Sequence, residues 1–164
     1  MARLAFLTSG VLVAPWDDPA VSGFVDRIEG AFAAAEAHPG FIGRAGDWGE
    51  QATPACLTPE QAERVAQTLS LWVDLESVYA FAYSGAHAEA LRGRKLWIEE
   101  ADFPTFVAWW VPDDHTPTWM EAMERQAHLH EYGPTPTAFP FKNAFGPDGA
   151  PLRLDHTCVD SLLS

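Results

Sequence analysis

Apolar residues along the chain recur at two spacings, one typical of strands and the other of helices. The stretch from 4 to 13 is apolar with a break at Gly10, which predicts a strand that bends there. Asp18 and Pro19 then form a helix start, since a carboxylate suits the N-cap and proline suits the first helical position. The same signals predict strands over 41–45, 67–73, 105–111 and 139–145, and helices over 19–37, 75–83, 86–99 and 118–132, with a short helical turn after Thr58.

The order of these elements is β-α-β-β-α-β, followed by one more helix and one more strand. It is the order of the ferredoxin-like arrangement, an α+β fold with an antiparallel sheet and helices on one face. The strand at 105–111 is apolar on both faces, so we expect it to be central or covered on both sides. A second copy of the sheet would cover the free face, which predicts a two-fold dimer. One domain over 1–145 and a polar tail over 146–164 are expected.

The composition is that of a globular protein, with 48% hydrophobic and 20% charged residues among 164. The chain has 10 Lys and Arg against 23 Asp and Glu, a net charge of −13. This charge disfavours binding to nucleic acid or to anionic lipid, because phosphates would repel the chain. No run of about 18 apolar residues predicts a transmembrane helix. Cys56 and Cys158 form no metal-binding pattern and are expected to be free thiols.

The N-terminal apolar stretch could be a strand or part of a signal peptide. Thr8 and Ser9 interrupt it, and a Pro-Trp-Asp-Asp sequence follows at 15–18. A signal peptide needs a longer unbroken apolar region, so a strand is the better interpretation and a cytoplasmic protein is expected.

Short motifs spread along the chain lie in the order that one known family has them. In chain order they are Asp17-Asp18-Pro19, Pro39-Gly40-Phe41, Leu69-Ser70-x-Trp72, Tyr83-Ser84-x-x-His87, Arg92-x-Arg94-x-x-Trp97, Trp109-Trp110-Val111-Pro112, His115-x-Pro117-Thr118-x-x-Glu121-Ala122-x-Glu124-Arg125 with His128-Leu129, and Gly133-Pro134-Thr135-Pro136-x-Ala138-Phe139-x-Phe141. On these motifs the chain resembles the DUF3291 family of the dimeric α/β-barrel superfamily. The resemblance covers about residues 3 to 145.

The resemblance implies a fold more than an activity. Members of the family resemble the antibiotic-biosynthesis monooxygenases. The superfamily includes cofactor-free oxygenases of aromatic polyketides, isomerases, lactone-forming enzymes, haem enzymes such as aldoxime dehydratases, and plain binding proteins. In its layout the pocket lies between the sheet and the helices. Because one fold hosts many unrelated functions, the choice among them depends on the residues of the site.

His87 and Arg94 are the strongest candidates for catalytic residues. They are seven positions apart, so they lie on one face of the predicted helix over 86–99, next to apolar neighbours. A histidine that takes up and releases a proton near pH 7 could deprotonate an acidic carbon or a phenol, and a guanidinium could stabilise the resulting oxyanion. The alternative is a packed histidine and an arginine paired with a carboxylate from another element. Arg92 and Lys95 are expected to pair with Glu89 and Glu99 on a solvated face.

Aromatic residues are candidates for the wall of a binding pocket. Along the strand at 105–111, Trp109 and Trp110 point to opposite faces, so one of them faces the helices. An aromatic wall with a few polar groups suits a planar, largely apolar ligand, although any single aromatic could instead be core. The candidates for substrate binding are Tyr79, Tyr83, Trp72, Trp97 and Trp110.

The remaining histidines predict no metal site. His128 and His130 are about 200° apart around a helix and cannot ligate one ion together. A single haem ligand, His87 or His115, needs no motif and is kept as an alternative. No phosphate-binding glycine loop or nucleophile elbow is present, so nucleotide chemistry and covalent hydrolysis are not expected.

These observations predict a small-molecule enzyme of secondary metabolism that needs no cofactor. Its substrate would be an apolar aromatic or polyketide-like compound, and its reaction a proton-transfer-initiated cyclisation, isomerisation or cofactor-free oxygenation. The expected partners are this small molecule and a second copy of the chain, with no nucleic acid and no membrane. A haem-dependent enzyme of the same fold and a non-catalytic binding dimer are the alternatives.

Overall fold

The structure is a computed structural model that describes residues 1–163, apart from the side chains at positions 86, 90 and 163. The strands are β1 (Ala2–Val11), β2 (Phe41–Arg44), β3 (Val65–Trp72), β4 (Phe106–Pro112), β5 (Ala144–Phe145) and β6 (Pro151–Leu152). The α-helices are α1 (Ser22–Glu36), α2 (Pro59–Glu63), α3 (Leu75–Ala82), α4 (Gly85–Arg92), α5 (Arg94–Trp97), α6 (Trp119–Tyr132) and α7 (His156–Leu163), with 3-10 turns at Pro19–Val21 and Phe141–Asn143.

The helix starts predicted from the sequence are confirmed by hydrogen bonds. The Asp18 carboxylate accepts from the backbone N–H of Ala20 at 2.8 Å, and the Asp74 carboxylate from that of Ser77 at 2.8 Å. Thr58 and Thr118 cap α2 and α6 in the same way, through their hydroxyl oxygens. These bonds satisfy backbone donors that the first helical turn leaves free.

The main sheet has four antiparallel strands in the order β2-β3-β1-β4. Leu7 of β1 lies opposite Leu69 of β3 on one side and Val107 of β4 on the other. β4 is therefore an outer strand, so of the two expected alternatives, central or covered on both sides, the first is not the one found. A short bridge covers part of its free edge, because Ala108 and Phe139 exchange backbone hydrogen bonds of 2.8 and 3.0 Å.

One face of the sheet packs against α1 and α3. Leu4, Trp72 and Ala108 from the sheet form a buried cluster with Ala35 of α1 and with Leu75 and Val78 of α3. Period-2 alternation along β1 puts Leu4 and Phe6 on this face and Ala5 and Leu7 on the other.

The other face packs against α6 and the segment 45–52 of the same chain. Trp109 is fully buried there beside Trp119, Ala122 and Leu129, and its indole N–H donates to the Glu121 carboxylate at 3.3 Å. The expectation that β4 is covered on both faces is confirmed. The expectation that the helices lie on one face is wrong, and a second copy of the sheet is not needed to cover this face.

The chain after α6 departs from its predicted form. The predicted strand over 139–145 is replaced by the bridge at Phe139, a 3-10 turn and the two-residue strand β5. The expected polar tail contains β6 and α7, and Val159 of α7 is buried at 3% exposure. The Gly-Pro-Asp-Gly sequence at 146–149 forms the turn between β5 and β6, as its composition predicts.

Within residues 1–163, no helix has both the length and the apolar character that crossing a membrane requires.

Two glycines that precede β2 provide a test of the packing. Gly40 is buried, and a Cβ at this position would overlap the Ser77 side chain, so Gly40→Ala should destabilise the protein by about 1–3 kcal/mol. Gly30 lies in α1, where an added Cβ would meet nothing within 4 Å. Because alanine favours a helix over glycine, Gly30→Ala should stabilise the protein by about 0.5–1 kcal/mol. Urea unfolding of both variants measures the two effects. A tolerated Gly40→Ala would contradict the close contact between the chain before β2 and α3.

Candidate functional site

A cavity of about 230 Å³ lies between the sheet and the helices α1, α3, α4 and α5. Its floor is formed by side chains of one face of the sheet, including Phe6, Thr8, Thr68, Ser70 and Phe106. His87 and Arg94 both line this cavity, so the structure brings the two predicted catalytic residues to the same space.

A break between α3 and α4 positions His87. Gly85 has a φ of 51°, a left-handed conformation that glycine adopts easily, and α4 begins at this residue. The turn brings the His87 ring back to the end of α3, where Nδ1 lies 2.8 Å from the carbonyl oxygen of Ala82. A carbonyl oxygen only accepts hydrogen bonds, so Nδ1 carries the proton and the neutral ring keeps an unprotonated Nε2. Among the described residues, Nε2 has no hydrogen-bond partner.

Burial sets the charge of this imidazole. Desolvation lowers the pKa of His87 below 6.5, and the hydrogen bond with Ala82 opposes this in part. The ring also lies 4.8 Å from the ring of Phe81, which adds to its apolar surroundings. His87 is therefore neutral at neutral pH, the state in which Nε2 can accept a proton.

Arg94 is half-buried and lies over the Phe106 ring in the floor of the cavity. Its guanidinium carbon lies 5.2 Å from the centroid of the Phe106 ring, a cation–π geometry. Burial lowers the pKa of Arg94, but an arginine keeps its charge in proteins. Among residues 1–163 no carboxylate lies within 4.0 Å of it, so the expected alternative of a carboxylate from another element is not found.

Trp72 and Trp97 line the cavity, as predicted for pocket aromatics. The indole N–H of Trp72 donates to the Ser70 hydroxyl at 2.8 Å, which holds its ring against the floor. Trp97 packs between Gly23 and Gly93, where an added Cβ would press on its indole, so only glycines leave room for it.

Tyr79, Tyr83 and Trp110 do not line the cavity. Tyr79 and Tyr83 pack on each other at 4.6 Å between ring centroids and lie against Phe141. They sit on a different face of α3 from Val78 and Phe81, which do line it. Trp110 faces the helix side of the sheet as expected, but its indole N–H donates to the Phe145 carbonyl at 2.7 Å, away from the cavity.

Polar lining residues that the sequence did not single out include Thr8, Thr68, Arg27 and Arg44. Arg27 follows Phe24 by three positions and precedes Ala31 by four, so the helical spacing of α1 contains the signal for its position. Thr8 follows Phe6 by two positions in β1, so the two side chains lie on the same face of the sheet.

The ion pairs of the helix over 86–99 also differ from expectation. Glu89 lies 3.7 Å from Arg27 rather than pairing with Arg92. Glu99 lies 2.7 Å from Arg64 rather than pairing with Lys95. Both carboxylates choose partners on other elements, which sequence spacing along one helix does not reveal.

His115 and His128, which lie outside the cavity, have structural contacts. His115 Nε2 lies 2.9 Å from the Glu121 carboxylate and ties the loop before α6. His128 Nε2 lies 2.9 Å from the Thr135 hydroxyl. Nowhere within residues 1–163 do three His, Cys, Asp or Glu side chains come together as metal ligands, and Cys56 and Cys158 are unpaired.

The family model described as "Domain of unknown function (DUF3291)" matches residues 3–155. The chain belongs to the DUF3291 family. The match extends past Phe145 into the segment predicted as a tail, and no curated protein matches the chain.

Solved structures similar to this DUF3291 chain share little sequence with it. A protein of unknown function, NE2512 from Nitrosomonas europaea, is 12% identical with a TM-score of 0.48, covering 72% of this chain and 97% of that one. PA3566 from Pseudomonas aeruginosa is 10% identical with a TM-score of 0.44, covering 68% and 93%. The protein YJCS is 10% identical with a TM-score of 0.42, covering 68% and 99%.

The lowered pKa of His87 makes the stability of this DUF3291 chain depend on pH. The unfolded chain takes up a proton near pH 6.5 while folded His87 does not, so the free energy of unfolding should fall as the pH drops through 6.5. His38, whose pKa burial also lowers, acts in the same direction. In His87→Gln the urea midpoint should therefore fall less between about pH 7 and 5 than in the wild type.

His130→Gln is the matched control, because His130 is exposed on α6. Its urea midpoint should follow the wild type over the whole range. An equal loss of stability in His87→Gln and the wild type would mean that His87 is not buried in its neutral form.

Proposed function

We propose that this DUF3291 chain is a small-molecule enzyme that begins its reaction by removing a proton from an aromatic or polyketide-like substrate. The observation that carries the proposal is the pairing of His87 and Arg94 in one aromatic-walled cavity, the first with a free Nε2 and the second without a carboxylate partner among the described residues. A base and a fixed cation beside one apolar space suit the formation of an enolate or phenolate.

The cavity volume limits the part of the substrate that it encloses. The volume of about 230 Å³ is below the usual range of about 300–1,000 Å³ for ligand pockets. The enclosed part would be one ring or two fused rings, and the rest of a larger polyketide-like compound would lie outside.

The proposed first step conserves atoms and electrons. Nε2 of His87 takes a proton from a carbon next to a carbonyl, or from a phenol, and the electron pair moves to the oxygen. The Arg94 guanidinium stabilises this oxyanion, since the site is partly shielded from water. In an isomerisation the imidazolium returns the proton at another carbon. In a cyclisation the enolate carbon forms a bond to a second carbonyl carbon of the substrate, the π electron pair of that carbonyl moves to its oxygen, and the imidazolium protonates this oxygen. An oxygenation would in addition consume molecular oxygen as the oxidant.

We also propose membership of the dimeric α/β-barrel superfamily, with a ferredoxin-like sheet. The order β2-β3-β1-β4 and the position of the cavity between sheet and helices support this placement. The homodimer was inferred from a sheet face that was expected to be uncovered. Because α6 covers that face, this reason for a dimer no longer holds. It stays a prediction, as does a role in secondary metabolism.

A haem enzyme is the second candidate, with Nε2 of His87 as the iron ligand. Haem has four pyrrole rings, so only the part nearest to His87 would lie inside the 230 Å³ cavity, whereas a ligand of one or two fused rings would lie inside it whole. Proton-transfer chemistry on a smaller ligand suits the volume better. A binding protein without activity is the third candidate, and the experiment below separates it from an enzyme.

Deuterium exchange tests the proton transfer without knowledge of the natural substrate. 2-Tetralone, a bicyclic ketone, exchanges its α-protons slowly in neutral deuterated water, and NMR measures the rate with and without the protein. We expect the protein to accelerate exchange and His87→Gln to lower this acceleration by at least about ten-fold, because general base catalysis contributes about 100-fold or more. The rate should rise with pH through the lowered pKa of His87 and then level off.

His130→Gln is again the control, since His130 lies on α6 at the opposite face of the sheet. It should leave the exchange rate unchanged. Ligand binding without any acceleration of exchange would support the non-catalytic alternative instead, and equal rates in His87→Gln and the wild type would remove His87 from the mechanism.

A further inference from the structure

The charges that line the cavity are opposite to those of the chain as a whole. The chain has 23 acidic and 10 basic residues. The described lining nevertheless contains Arg27, Arg44, Arg94 and His87, and no Asp or Glu. An acidic protein that gathers guanidinium groups around an apolar space provides a local field that attracts a negative ligand.

Two of these arginines have carboxylate partners. Arg27 lies 3.7 Å from Glu89 and Arg44 3.0 Å from Glu36, and both glutamates are more than half exposed. Arg94 differs from them. Within the described chain its contact is the Phe106 ring, which supplies no negative charge to neutralise it. Unpaired half-buried charges are costly, so Arg94 is the group with the most to gain from an anion.

Two hydroxyl groups lie on the floor next to this position. Thr8 of β1 is opposite Phe106 of β4 on one side and Thr68 of β3 on the other. Cross-strand neighbours on one face are about 5 Å apart, so Thr8 lies beside the Phe106 ring that Arg94 covers, and Thr68 lies one strand further away. The Thr8 and Thr68 hydroxyl oxygens are 2.5 Å apart. Their mutual hydrogen bond uses one hydroxyl proton, and the other remains to be donated to a third group.

We infer that the cavity binds an organic acid, a planar aromatic carboxylate whose carboxylate group pairs with Arg94 and accepts a hydrogen bond from the Thr8–Thr68 pair. The inference rests on the proposed function, because it takes this cavity as the ligand site, and it adds the chemical class of the substrate. Arg94 then meets a negative charge before any proton is removed. Because a guanidinium has five N–H donors, those that the carboxylate leaves free can stabilise the oxyanion of the proposed first step. A carboxylate suits the site since its two oxygens match the fork of a guanidinium group, and its aromatic body matches Phe6, Trp72 and Phe106.

A pair of matched probes tests the charge requirement. 2-Naphthoate and 2-naphthamide have the same two rings and nearly the same shape, but only the first carries a charge at neutral pH. Calorimetric titration of the wild-type protein should give a dissociation constant for 2-naphthoate at least about ten-fold below that for 2-naphthamide, since a charged hydrogen-bonded pair separates them. Equal affinities, or no binding of 2-naphthoate at millimolar concentration, would overturn the inference.

Substitutions at Arg94 test whether this residue is the group that binds the carboxylate of the probe. Arg94→Gln should weaken 2-naphthoate binding by about ten-fold or more and leave 2-naphthamide within about two-fold. Arg94→Lys should keep most of the preference, and it remains informative if the glutamine variant folds poorly. Arg92→Gln is the matched control, because Arg92 is exposed and does not line the cavity. A carboxylate preference that survives in Arg94→Gln would place the anion elsewhere and overturn the assignment.

Thr68→Val provides a second, milder test. It removes a hydroxyl but keeps the shape, and it should weaken 2-naphthoate more than 2-naphthamide. An equal effect on both probes would remove the hydroxyl pair from the site. The inference and the proposed function fail separately. Equal probe affinities with His87-dependent exchange of 2-tetralone would leave the enzyme without an acid substrate, whereas a charge preference without exchange would leave an acid-binding protein.

Discussion

The four-stranded sheet is apolar on both faces, and this single constraint determines how the rest of the chain is arranged. Both faces of the sheet must pack against other elements, and helices of the same chain pack against each of them. On the Trp109 face α6 and the segment 45–52 cover the sheet, and the Glu121 carboxylate links the indole of Trp109 to His115 in the loop before α6. On the opposite face α1 and α3 cover the end near Trp72, while the more polar part around Thr8 and Thr68 is left open as the cavity. The candidate site is thus the part of the sheet that the helices do not fill.

The same arrangement separates charge. The chain is acidic as a whole, whereas the described lining of the cavity is basic and aromatic. Desolvation affects both polar groups of the site. It keeps the His87 imidazole neutral, so that Nε2 can accept a proton, and it strengthens the electrostatic attraction between Arg94 and an anion. The proposed chemistry and the proposed ligand recognition would both follow from one partly closed, apolar space.

Sequence patterns predicted the local elements well, because their causes are local. The Asp18, Thr58, Asp74 and Thr118 caps, the alternation in β4, and the break at Gly85 all depend on neighbours within a few residues. His87 and Arg94 were singled out because a seven-residue spacing puts two side chains on one face of a continuous helix. The structure instead divides the predicted helix over 86–99 at Gly93 into α4 and α5, and both side chains still line the cavity. Tyr79 and Tyr83 share a face in the same way, but nothing in their spacing says that this face turns towards Phe141.

By itself the sequence determined most of the helices and strands, the two-sided apolar character of β4 and the pair His87 and Arg94. The tertiary structure decided what covers each face, which arginines have partners, and which aromatics reach the cavity. The physical reason is that these depend on contacts between residues far apart in the chain. Glu89 pairs with Arg27 rather than Arg92, and Trp110 binds the Phe145 carbonyl, because packing brings those partners closer than the neighbours along the helix or strand.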